Sequence, residues 1–121
     1  MSTINKLPSL QYKSTFSYTD AGGEQTVLEV TVATGRLLKL CGAWLDLVNM
    51  TKSGSVKLYY KIDATNYRCF NTSNWDISDD DGVLVDLTAM ISGGFKITYT
   101  ESEDEAAIRA LPYEVNFEVW R

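Results

Sequence analysis

Residues 36–63 read RLLKLCGAWLDLVNMTKSGSVKLYYKID, and the phase of their apolar side chains decides the fold. In the second half Val56, Leu58, Tyr60 and Ile62 alternate with Lys57, Tyr59, Lys61 and Asp63. That period of two belongs to a half-buried strand. The first half is apolar on both phases, with Leu38, Leu40 and Trp44 on one and Leu37, Cys41, Ala43, Leu45 and Leu47 on the other. Such a strand is covered on both faces or changes face at a bulge, and Gly42 is the expected place for the bulge. Residues 50–54, Met-Thr-Lys-Ser-Gly, supply a turn between the halves. The stretch is therefore expected to form one long antiparallel hairpin on which other strands pack.

Working outward, residues 1–9 are polar with one proline and read as an arm, leaving 10–121 as a single domain. Residues 10–19 read as a strand, irregular near Lys13 and Ser14, and 20–24 as a turn. Residues 26–34 form a second strand, with Leu28, Val30 and Val32 on one face and Gly35 breaking it. Beyond the central stretch, 67–71 is a short strand and 71–82 (NTSNWDISDDDG) the longest loop. Residues 83–87 and 95–100 alternate strongly, with one helical turn possible at 88–92 between them. Residues 101–105 form an acidic tip, 106–111 an irregular lead-in, and 113–121 the last strand, with Val115, Phe117 and Val119 in phase and Trp120 on the polar phase. About eight strands, evenly spaced turn signals and no long helix imply an all-β, antiparallel two-sheet sandwich, jelly-roll-like, with an immunoglobulin-like Greek key as the alternative.

The totals narrow the function. The chain has 121 residues and a net charge of −5, which argues against a nucleic-acid or anionic-membrane partner, since either needs a basic face. It has no histidine, which removes Ser-His-Asp and Cys-His catalysis and His-based zinc sites. No glycine pattern matches a phosphate-binding loop, and no signal-type or membrane-spanning apolar run is present. Cys41 and Cys69 read as small buried hydrophobes in adjacent strands of a chain folded in a reducing cytoplasm, with a disulfide between them as the alternative. Asp76, Asp79, Asp80 and Asp81 form an oxygen-rich loop of the kind that holds Ca²⁺, but their spacing fails the EF-hand template, so no metal or cofactor is expected. Glu101, Glu103, Asp104 and Glu105 read as a solvated hairpin tip. No catalytic constellation emerges, and no enzyme is expected.

The aromatics on the polar phase or in the loop, Tyr59, Tyr67, Trp75 and Trp120, are the candidate interface or ligand residues. Convergence of Tyr59, Tyr67 and Trp75 on one exposed surface would favour carbohydrate binding, and their dispersal would favour protein assembly.

The segments SGSVKLYYKIDATNYRCF (53–70), VLVDLTAMISGGFKIT (83–98) and AAIRALPYEVNFEVW (106–120) resemble small β-sandwich virion proteins of tailed bacteriophages. The likeness covers roughly 26–121 and lies in the cadence of strands, Asn66-Tyr67-Arg68, Gly93-Gly94 and Ile108-x-x-x-Pro112-Tyr113. The resemblance implies a structural part of a virion, a capsid decoration or accessory protein or a tail module. It implies a homo-oligomer, often a trimer, bound to a major capsid or other virion protein and assembled in the host cytoplasm. A carbohydrate-binding module, or a glycan-reading fibre or tail domain, is the alternative.

Overall fold

The computed structural model describes residues 5–19, 23–63, 65–78 and 80–121, and among them the period-two segments form nine strands. These are β1 (Lys6–Tyr18), β2 (Glu24–Val30), β3 (Leu37–Asp46), β4 (Gly54–Tyr60), β5 (Arg68–Trp75), β6 (Gly82–Val85), β7 (Ala89–Ile91), β8 (Phe95–Glu101) and β9 (Arg109–Trp120). One sheet runs β1-β9-β3-β6, with β7 also paired to β3, and the other runs β2-β8-β4-β5. Every pairing is antiparallel.

The topology is a jelly roll. The chain folds as nested pairs: β4 with β5 innermost, then β3 with β6 and β7, β2 with β8, and β1 with β9 outermost. The pairs alternate between the two sheets, as an immunoglobulin-like arrangement would not.

The expected hairpin of 36–63 is corrected by this pattern. β3 and β4 lie in different sheets, and 47–53 carries the chain across the end of the sandwich. The physical reason is in the connection itself, because Leu47 and Met50 are buried there. A hairpin turn leaves its residues in water, whereas two buried apolar side chains seal the gap between sheets. The true hairpin is β4–β5, whose strands pair antiparallel from Gly54–Trp75 to Tyr60–Arg68.

The bulge at Gly42 is present. Leu40 pairs with Phe117 and Gly42 with Asn116, so Cys41 has no partner on β9 and the strand changes face there. Gly42 has φ of 142°, a conformation that only glycine adopts readily. Before the bulge Leu38 and Leu40 point inward; after it Ala43, Leu45 and Leu47 do. Val56, Leu58, Ile97, Tyr99, Val115 and Phe117 meet them from the other strands to form the core.

Other expectations move as well. Residues 6–9 belong to β1 rather than to an arm, while 1–4 lie outside the described residues. The irregularity of β1 falls between Leu7 and Leu10, not at Lys13. Residues 20–22 of the expected turn lie outside the described residues. Residues 71–75 continue β5, which shortens the acidic loop, and 89–91 form β7 instead of a helical turn. Cys41 and Cys69 are exposed free thiols on different sheets, because Cys41 is the bulged residue and Cys69 stands on an edge strand.

Candidate functional site

The sandwich brings two of the four singled-out aromatics together. On the outer face of the β2-β8-β4-β5 sheet, Lys96 projects from β8 between Tyr59 and Tyr67, its Nζ 4.9 Å and 4.7 Å from the two ring centroids. Lys61 Nζ lies 4.6 Å from the Tyr67 centroid. Each phenol is also pinned. Tyr59 donates to Glu24 Oε2 at 2.5 Å and Tyr67 to Glu29 Oε2 at 2.7 Å. The bond to Glu24 pushes the Tyr59 hydroxyl up to about 12, and partial burial followed by Glu29 does the same for Tyr67. Hydrogen bonds from Thr98 and Tyr59 hold the Glu24 carboxyl below its ordinary range.

This is a self-satisfied network. The ring faces on which a sugar would stack are already occupied by the protein's own ammonium groups. Lys96→Ala is expected to cost about 1 kcal/mol of stability, for two partly exposed cation–π contacts, measured by urea unfolding. An unchanged midpoint would show that the ammonium does not hold the rings.

Trp75 and Trp120 are elsewhere. Trp75 closes β5 as a buried side chain, and its Nε1 donates to the Asp80 carbonyl at 2.7 Å, which fastens the acidic loop. In that loop the Asp76 carboxylate accepts from Ser78 N and Oγ, bonds that lower its pKa. Asp79 lies outside the described residues, and among the described residues no three metal-ligating side chains come together. Trp120 is half-buried at one end of the other sheet, paired in register with Leu37 and Lys6.

The more exposed apolar groups were not singled out from the sequence. Trp44 stands on the outer face of the β1-β9-β3-β6 sheet and is 51% exposed. In register it lies between Leu84 on β6, itself half-exposed, and Glu114 on β9. It forms the ridge between two shallow grooves of about 290 and 480 Å³. Their charged lining residues are Asp46, Asp81 and Glu114 against Lys13 alone. The sequence did carry a signal for Trp44: once the chain changes face at Gly42, Trp44 must point away from the core that Leu38 and Leu40 enter.

A second apolar feature lies where the sheets part between β4–β5 and β7. Leu58, Tyr60, Ile62, Phe70 and Met90 surround a cleft of about 230 Å³. Ile62 is 72% and Phe70 60% exposed. The β5 edge beside it pairs only with β4 among the described residues.

Finally, the acidic run at 101–105 is not a solvated tip. Glu101 and Glu105 are 7% and 4% exposed, while Glu103 and Asp104 face water. Comparison with known proteins finds no matching family and no similar curated protein.

Proposed function

We propose that this chain is a non-enzymatic assembly protein, a structural component of a bacteriophage virion that binds a larger protein shell through the outer face of the sheet around Trp44. The carrying observation is the indole itself, a large exposed aromatic beside Leu84, flanked by grooves and ringed by three carboxylates. Tryptophan, with tyrosine and arginine, is enriched among the energetic anchors of protein interfaces.

The carboxylate rim selects the partner. A basic surface with an apolar pocket fits it, and an arginine there would meet both the indole face and the carboxylates. The same rim opposes two-fold self-pairing through this face, since Asp46, Asp81 and Glu114 would meet their own copies. A homo-oligomer would use another surface. The virion setting, with assembly in the host cytoplasm, is supported by the resemblance of 53–70, 83–98 and 106–120. The glycan-reading alternative draws support from the convergence of Tyr59 and Tyr67, but Trp75 does not join them and Lys96 sits over both rings.

The test is co-sedimentation with particles of the phage whose genome encodes the chain. Wild-type protein is expected to sediment with the particles. Trp44→Ala is expected to bind roughly 30-fold more weakly or worse, as for a hot-spot truncation, with an unchanged melting temperature. Equal binding by both proteins would overturn the assignment of this face. Absence of the chain from purified virions by mass spectrometry would overturn the virion reading.

A further inference from the structure

β8 points Phe95, Ile97 and Tyr99 into the core, and by the same alternation it points Glu101 inward at the end of the sandwich. Both Glu101 carboxylate oxygens are buried and accept no hydrogen bond from any ordinary donor among the described residues. The Glu105 carboxyl, also buried, interacts with it as a like charge and as a hydrogen-bonding partner. Two carboxyl groups bond to each other only when one of them carries a proton.

The surroundings decide which one. Glu105 accepts from Thr51 N at 2.8 Å and from Thr51 Oγ1, and its Oε1 lies 3.8 Å from Arg109 Nε. These donors stabilise a carboxylate. Glu101 has none of them, so a proton held by the pair is better placed on Glu101, from which it can be donated to Glu105.

We propose that Glu101 and Glu105 form a proton-sharing latch, which ties the 102–108 connection to Thr51 while the pair holds one proton and loosens this end of the sandwich when that proton leaves to solvent. The latch joins two connections that meet nowhere else in sequence. Ser102 N also donates to Ser53 O at 2.9 Å, and Asn49 Nδ2 to Ala110 O at 3.2 Å, so 47–53 and 102–110 form one closing unit.

Several elements bring charged or titratable groups to this end, and Asp76, just after β5, lines the same groove as Glu101. β1 supplies Tyr18, whose hydroxyl accepts from Glu101 N at 3.2 Å and donates to Gly23 O at 2.6 Å. β8 supplies Tyr99, with a buried hydroxyl that has no partner among the described residues. The 47–53 connection supplies Lys52, already paired with the exposed Glu103 at 3.5 Å. The 102–108 connection supplies Asp104 and Glu105, and β9 supplies Arg109. Lys52 and Arg109 favour ionised Glu101, but burial and the Glu105 charge outweigh them and push its carboxyl from 4.5 to about 7.

The sign follows. The folded state binds the extra proton and the unfolded chain does not, so the stabilisation is complete below about pH 4.5 and is lost as pH rises to about 7. Above that the protein is expected to stay at the lower plateau. Wild-type melting temperature is expected to fall by roughly 5–10 °C between pH 5 and pH 8. Glu101→Gln replaces the protonated acid with a neutral amide that can still donate to Glu105. It is expected to remove most of that fall and to be the more stable protein at pH 8. Hydrogen exchange at Thr51 and 102–108 should accelerate with pH beyond the intrinsic increase in wild type only. A parallel fall in wild type and Glu101→Gln would overturn the latch. Should the variant not fold, the ¹³C carboxyl titration of wild-type Glu101 decides: a midpoint above 6 supports the latch, and one in the ordinary carboxylate range overturns it.

Discussion

Insertion of one alanine between Ala43 and Trp44 is expected to yield no folded protein, whereas Cys41→Ala is expected to melt within a few degrees of wild type. Cys41 is exposed and its thiol makes one weak contact, to the Lys39 carbonyl at 3.4 Å, so its side chain contributes little. Its backbone, however, is the extra residue of the β3 bulge. Leu40 and Gly42 pair with adjacent residues of β9, Phe117 and Asn116, so the bulge already absorbs one extra residue; a second one inserted after Ala43 shifts the rest of the strand by one position and sends every following side chain to the opposite face. Leu45 and Leu47, now buried, would turn to solvent, and Trp44 and Asp46 would turn inward. Exposing Leu45 and Leu47 alone costs about 3–6 kcal/mol, and burying the Asp46 carboxylate without a partner adds several more. The sum reaches the whole stability of a domain this size, about 5–15 kcal/mol. Circular dichroism and solubility of the two variants check the contrast. A folded insertion protein would mean that β3 can absorb a second extra residue.

The same residue shows what was legible in the chain. Apolar residues on both phases of 37–47 announced a face change, and Gly42 marked its place, because no other residue there tolerates φ of 142°. The alternation of 95–100 and 113–119 points to β8 and β9 directly, since one face of each strand is apolar core and the other is polar. What did not show was which strand pairs with which. Pairing depends on whether a connection is solvated or plugs the sandwich, and only the burial of Leu47 and Met50 separates an arch from a hairpin. Glu101 and Glu105 misled for a related reason: in sequence they are indistinguishable from Glu103, and the inward phase of β8 is what buries the first of them. Among the aromatics, Tyr59 and Tyr67 were placed on the outer face as their phase required. Trp75 reads as a loop residue because its strand, Arg68–Trp75, is rich in polar residues and, among the described residues, pairs only with β4.

Phe117→Ala is expected to be the most damaging single substitution in the core, at about 3–5 kcal/mol. Phe117 lies on β9, the strand between β1 and β3 that holds the first sheet together. Its ring meets Phe95 of the opposite sheet edge-on at 5.9 Å and 88°, and Tyr12 of β1 at 6.0 Å and 89°. Truncation therefore removes the ring's own burial and two aromatic contacts at once, and leaves a cavity walled by β-strands that cannot collapse without breaking register. Loss of the Phe95 contact weakens the joint between sheets, while loss of the Tyr12 contact frees one flank of the outermost β1–β9 pair. Because β9 also carries Glu114 beside Trp44, the variant tests how far the proposed interface depends on the core beneath it. Urea unfolding should show a lower midpoint with an unchanged slope, the pattern of a native state that is less stable but equally compact. A loss below about 1 kcal/mol would mean that the two sheets are not joined through this aromatic contact.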